Sequence, residues 1–262
     1  MKLGVPLGLV GMTLMATSLL FLWFILLSGI ANITPFRKTY FLQADTSGIT
    51  GARDTSQWTY FWICGRGNHD CGSAHAALPF GYAWDGYASD IPQGLGGSHG
   101  KHTTSHHFWY MWRFGWVFFL IALLFETIAL CTSVLACCGR IGSAISSMVT
   151  GIALFFYTIA VSLMTATFVQ ARNRFHDAGR SARLGRWSFG FAWAGFAALA
   201  LAWLCFSANF FTASSQRKSR STSKSDKRSG NPWRKRNTSA LGERRVQESG
   251  VAEARRVKNE YM

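Results

Sequence analysis

Hydrophobic residues in this chain come in blocks. Four blocks, near 5–30, 114–138, 145–169 and 187–211, reach the roughly 20 apolar residues that a helix needs to cross a bilayer. Within them polar residues do not recur on one face, so the pattern is not that of soluble amphipathic helices. It predicts a span at 1–30, a polar and aromatic loop at 31–112, spans at 113–138 and 145–169, a short loop at 170–186, a span at 187–211 and a tail at 212–262. The expected fold class is an all-α membrane protein, a four-transmembrane-helix bundle whose long first loop has room for short β-strands. The first block is too long for the 7–15 apolar residues of a signal peptide, and no Ala-x-Ala cleavage site follows it, so it reads as an uncleaved span.

Small residues at four-residue intervals mark expected packing faces in the spans. They are Gly4 and Gly8 in the first, Ser143, Ser147 and Gly151 in the third, and Gly190, Ala194, Ala198 and Ala202 in the fourth. The run Phe108-Trp109-Tyr110-Met111-Trp112-Arg113 reads as an interfacial aromatic belt ending in a snorkelling arginine. Glu126 is the one acidic residue inside a span. An intramembrane carboxylate is expensive and marks a functional site by default. With no basic partner nearby in sequence, the preferred reading is a protonated Glu126 bonded to Ser or Thr on a neighbouring helix.

The long loop holds Trp58-Thr59-Tyr60-Phe61-Trp62-Ile63-Cys64, then Cys71, then a glycine-rich segment at 94–100. A Cys64–Cys71 disulfide is expected as a brace. It would close a loop of eight residues, constraining the open chain by about 2.5 kcal/mol. The spacing is not the Cys-x-x-Cys of redox-active pairs. Trp58 and Trp62 read as packing or interface anchors. Asn32-Ile33-Thr34 matches a glycosylation acceptor, but it abuts the first span. His99, His102, His106 and His107 lack the regular spacing of metal ligands. No metal or cofactor is expected. Phosphate-cradling glycine loops, HExxH, GxSxG and paired carboxylates are all absent from the sequence, and no enzymatic activity is expected.

Charge changes the picture at the C-terminal end. The chain carries a net +15, and 212–262 alone holds 14 Lys/Arg against 5 Asp/Glu. A basic tail directly after a span meets anionic lipid first. With no recognition fold beside it, nucleic-acid binding is not expected. Arg217, Lys218, Arg220, Lys224, Lys227 and Arg228 form the expected lipid-contacting segment of a disordered tail, and interleaved serines would let phosphorylation weaken the attraction. These cations favour a cytoplasmic C-terminus, whereas the five arginines of 170–186 argue the other way. Cysteine chemistry decides the expectation. With both termini cytoplasmic, Cys64 and Cys71 lie outside, where a disulfide survives. Cys137 and Cys138 then lie at the cytosolic border, as candidates for S-palmitoylation or as plain thiols.

Several stretches together carry a family resemblance. They are Trp58-Thr59-Tyr60-Phe61 with Cys64 and Cys71-Gly72, Pro79-Phe80, Arg113-Phe114-Gly115-Trp116-Val117-Phe118-Phe119, Arg140-Ile141-Gly142-Ser143, and Asn173-Arg174-Phe175-His176-Asp177-Ala178-Gly179 followed by Ala182-Arg183-Leu184-Gly185. In this order the chain, to about residue 211, resembles the fungal Sur-seven/PalI family of four-span plasma-membrane proteins, in its cortical-patch, eisosome-associated branch. Its first loop also resembles the Trp…Cys…Cys arrangement of claudins, with Phe61-Trp62-Ile63-Cys64 where claudins carry Gly-Leu-Trp. The resemblance implies a non-enzymatic protein of static plasma-membrane domains, linked to endocytosis, cell-wall organisation or sporulation. The partners it implies are cortical-patch proteins and further copies of the chain. The alternative within the family is a PalI-like subunit assisting ambient-pH signalling.

Overall fold

A computed structural model describes residues 4–31, 33–136 and 140–229 of the chain. Asn32, Cys137 and Cys138 lie outside the described residues. The element order is α1 (Gly4–Leu26), β1 (Leu42–Asp45), β2 (Thr55–Trp58), β3 (Ile63–Cys64), α2 (His106–Ala136), α3 (Arg140–Asp177), β4 (Ala182–Leu184) and α4 (Arg186–Ser229). Each of the four helices contains a stretch long and apolar enough to cross a membrane: Pro6–Leu26, His106–Val134, Gly142–Asp177 and Arg186–Phe211. Residues 1–212 form one compact unit and 213–262 a second. In the second, the helical backbone of α4 continues to Ser229, where the sequence reading has an unstructured tail. No Gly or Pro interrupts 212–229, so nothing local breaks the helix. For Arg217, Lys218, Arg220, Lys224, Lys227 and Arg228 only the backbone is described.

The helices overrun the spans drawn from the sequence. α2 starts at His106 rather than 113, and α3 runs from Arg140 to Asp177 rather than 145–169. With 38 residues, α3 is about 57 Å long at 1.5 Å per residue, against a hydrocarbon core of about 30 Å. The surplus turns have work to do as packing surfaces: Phe108, Trp112, Ala171 and Phe175 on them are all buried. Most of what reads as a short loop at 170–186 is therefore helix and strand.

A four-stranded antiparallel sheet, in the order β3-β2-β1-β4, sits where the first loop returns to the helices. Leu42 pairs with Trp58 on one side and with Leu184 on the other, and Gln57 pairs with Cys64. β4 comes from the segment after α3, so the sheet stitches both connecting segments on this side of the bundle together. The Cys64–Cys71 disulfide closes the turn beyond β3. Beside it the Arg53 guanidinium bonds the Asp70 carboxylate at 2.6 Å and holds that carboxyl below the usual range.

Bundle packing follows a seam of alternating three- and four-residue steps. Phe119, Ala122, Glu126, Ala129 and Ser133 are buried on α2, and Met15, Ser18, Leu22 and Ile25 on α1. On α4 the same steps run through the buried Ala192, Gly195, Leu199, Ala202 and Phe206. This corrects the four-residue stripe read from the sequence, in which Gly190 and Ala194 prove exposed and only Ala198 and Ala202 are buried. Each four-residue step overshoots a 3.6-residue turn by about 40°, so the stripe winds off the contact face. Single close approaches do survive: Gly11 faces Phe206, and Gly151 faces the Trp203 indole.

Opening the disulfide frees the turn after β3 and with it the pairing of Gln57 and Trp58. Cys64→Ser is expected to lower the amount of folded protein delivered to the cell surface severalfold, as read by surface biotinylation against total protein. Wild-type delivery would mean that the sheet holds without its brace.

Candidate functional site

The stretch 58–62 is seated in the tops of the helices. Trp58 is buried, stacks on Phe80 at 4.7 Å between centroids, and donates its indole N–H to the Phe80 carbonyl at 2.9 Å. Tyr60 donates its hydroxyl to the Trp116 carbonyl at 2.7 Å, while the Trp116 indole donates back to the Tyr60 carbonyl at 3.2 Å. The Tyr60 N–H finds the Ser28 hydroxyl of the first span's end at 3.1 Å. Burial pushes the Tyr60 phenol up, so it stays a neutral donor. Gly29 turns the chain out of α1 with φ +87°, and a Cβ there would strike Thr59 and Trp62. Trp62 is half-buried beside it. Phe41 completes the junction, stacked on Phe168 and edge-on to Trp112 and Phe189. Both tryptophans thus act in packing, and the aromatic run holds no open cage.

Glu126 is the second candidate. It is fully buried in the bundle, and neither carboxyl oxygen has a hydrogen-bond partner among the described residues. Ser18 faces it from α1, yet the Ser18 proton goes to the Gly195 carbonyl of α4 at 2.9 Å. The serine neighbour expected from the sequence is present on α1, and a hydroxyl that donates in one direction keeps lone pairs that can accept from a protonated carboxyl. Tyr157 of α3 lies within electrostatic reach of the carboxyl, with its own buried hydroxyl unpartnered. A side chain at Gly195 would strike that hydroxyl. All four helices therefore meet at one polar point. Tyr157 went unnoticed in the sequence because a tyrosine inside an apolar run gives no signal apart from its neighbours.

The histidines are brought closer than their spacing implied. His99 and His106 approach with ring centroids 5.2 Å apart, His102 stacks on Tyr87, and His107 bonds the Gln170 amide oxygen at 2.7 Å. Among the described residues no three His, Cys, Asp or Glu side chains converge as a metal site would require. Arg113 lies 3.9 Å over the Trp109 ring, as a belt residue at the head of a span does. Cys131 and Cys205 are free thiols within spans.

Four apolar helices under a disulfide-braced sheet define the architecture, and residues 7–205 of the chain match the SUR7/PalI family. The chain belongs to the SUR7/PalI family. It is 34% identical to protein SUR7 of Candida albicans over 192 residues, which cover 72% of this chain and 69% of that protein. It is 32% identical to protein SUR7 of Saccharomyces cerevisiae, over 73% of this chain and 63% of that one. It also matches the Saccharomyces SUR7 family protein FMP45 at 31% identity, over 65% of this chain and 55% of that protein. A further Saccharomyces relative, 31% identical, carries the name of an uncharacterized plasma membrane protein, YNL194C. Within this SUR7/PalI chain, the matched region holds both the aromatic seat and the Glu126 point, and ends short of the basic tail.

A buried carboxyl without bonds is a net cost to the fold, about 1–3 kcal/mol or more for one such group. Replacing it by an apolar side chain of similar length removes that cost. Glu126→Met is expected to raise the Tm of the detergent-purified protein by several degrees, measured by intrinsic fluorescence. A lower Tm would show that the carboxyl bonds a group in the native protein that the bundle needs.

Proposed function

We propose that this SUR7/PalI protein organises static domains of the fungal plasma membrane as a structural, non-enzymatic component, in the manner expected of the eisosome-associated branch. What carries the reading is the family match across all four spans and the first loop. The bundle supports it. Large apolar side chains point outward along every span, including Leu20, Val117, Leu124, Phe155, Leu201 and Phe211. They give an extended face for lipid or for further copies of the chain. The polar content of the spans is low: the Glu126 point is the one place where a carboxyl enters the bundle. Roles in endocytosis, cell-wall organisation or sporulation would follow from membrane domains of this kind.

In this reading both termini are cytoplasmic, the sheet and disulfide lie outside, and the basic tail meets anionic inner-leaflet lipid and coat proteins. Cys137 and Cys138 then border the cytosol. A second reading, a PalI-like subunit in ambient-pH signalling, draws on the His99–His106 pair on that same outer side, because histidine is the side chain whose charge changes near neutrality.

Fluorescently tagged protein in its native host is expected to form immobile cortical puncta with little recovery after photobleaching. Uniform, mobile membrane fluorescence combined with a defect in the response to external pH would favour the second reading. Orientation is checked separately. A membrane-impermeant maleimide is expected to label Cys64 and Cys71 on intact cells only after external reduction, and labelling of Cys137 from outside would reverse the topology.

A further inference from the structure

A cavity of about 530 Å³ opens between the start of β1 and the start of α4, lined by Lys38, Tyr40, Arg183, Leu184, Arg186 and Trp187. Three of the six are cations and none is acidic. Lys38, Arg183 and Arg186 are all exposed. The ion pair among the described residues is Arg53–Asp70, so among them no carboxylate lies within ion-pair distance of these three; Arg183 also borders a second opening that holds Asp45 and Asp54. Three like charges around one opening repel one another, and an anion between them would relieve that.

The walls are fixed by the backbone. The Gly185 N–H donates to the Phe41 carbonyl at 3.0 Å, and Leu184 pairs with Leu42 across the sheet. A Cβ at Gly185 would collide with the Tyr40 carbonyl, so the turn from β4 into α4 lies directly against the strand that carries Tyr40. This holds Arg183 and Arg186 on one side and Lys38 on the other. Arg186 opens a long helix whose first N–H groups add positive potential at the same end.

Depth identifies the occupant. Arg186 is the first residue of the fourth membrane-spanning stretch. Trp187 follows it, 44% exposed, with the Lys38 ammonium 6.0 Å from its ring centroid. An exposed tryptophan beside cations at the end of a span sits at the headgroup level of a bilayer. Lipid phosphates lie at that level, and Arg and Lys are the side chains suited to grip them.

We propose that Lys38, Arg183 and Arg186 bind the phosphate of an anionic lipid headgroup, with Trp187 and Leu184 against the lipid's upper chain, in the leaflet next to the sheet. The site would give the protein a selective lipid contact through its folded unit.

The test uses the full chain in nanodiscs of phosphatidylcholine, with or without phosphatidylglycerol, and reads retained lipid by native mass spectrometry. Wild type is expected to retain phosphatidylglycerol at least tenfold over phosphatidylcholine. Arg183→Ala/Arg186→Ala is expected to bring that preference to within about twofold, while Arg66→Ala/Arg172→Ala, with the same loss of charge elsewhere, keeps it. The tail is identical in every sample, so its own attraction cancels. Lys38→Ala removes an exposed side chain with no hydrogen bond to the fold and is expected to lower the preference severalfold with Tm unchanged. It reads the site even if the double variant unfolds. An undiminished preference in Lys38→Ala and in the double variant would overturn the proposal. Inorganic phosphate alone is expected to leave the Tm of the protein in phosphatidylcholine unchanged. A rise matching that from phosphatidylglycerol would show a site for free anions instead of lipid.

Discussion

The pair of hydrogen bonds between Tyr60 and Trp116 joins two worlds in this molecule. One partner belongs to the loop sheet and the other to a span. Each indole or phenol donor meets the other residue's backbone carbonyl, so neither polar group is left bare among the stacked rings around it. A buried donor or acceptor without a partner costs about 1–3 kcal/mol, and the exchange removes that penalty at the junction. Everything above it depends on this seat. Trp58, two residues earlier, orients β2. The chain leaves β2, crosses the seat, and returns as β3 to the disulfide. The brace and the bundle are therefore one structure, and an aromatic run that looks like a recognition surface is the mortise of the joint.

The same polar accounting sets the Glu126 point apart. At the seat the indole and hydroxyl groups of Trp58, Tyr60 and Trp116 are all matched. In the bundle, a carboxyl and a phenol face each other unmatched, and the nearby serine has spent its proton on another helix. Structures pay for such mismatches where a second state, a proton or a small guest evens them out, and the four helices that meet there are the four that would have to move together. Unpartnered polar atoms of this kind sit poorly with a purely lipid-like packing of spans, in which small residues and dispersion carry the association.

Legibility from sequence tracked how far each signal was local. The four blocks of apolar residues announced the spans, and the six residues between Cys64 and Cys71 announced the brace, since both are read within one short window. The helices α2 and α3 run on past the spans read from the sequence, and Phe108, Trp112 and Phe175 on their outer turns, each beside polar or charged neighbours in sequence, are buried. β4 was invisible: Ala182-Arg183-Leu184 is three residues with no alternation to detect, and it is a strand because Leu42 and Ala44 are waiting for it. The small-residue stripe of α4 failed for a geometric reason, a period of four on a helix of 3.6. Tyr157 and the Lys38–Arg183–Arg186 group were illegible because their members come together from distant parts of the chain.

The sheet's strand order has a bearing on how the molecule is made. β1 is synthesised early, but its outer neighbour β4 emerges only after two further spans, with Ala44 finally pairing Ala182. Until then the β1 edge carries a row of unpaired N–H and C=O groups, the kind of edge that recruits other strands. The newly made loop must wait, exposed, while α2 and α3 are threaded into the bilayer. Closure of the sheet by three residues is thus a report that the third span has arrived, and a chain stalled before that point would display an open edge for quality control to find.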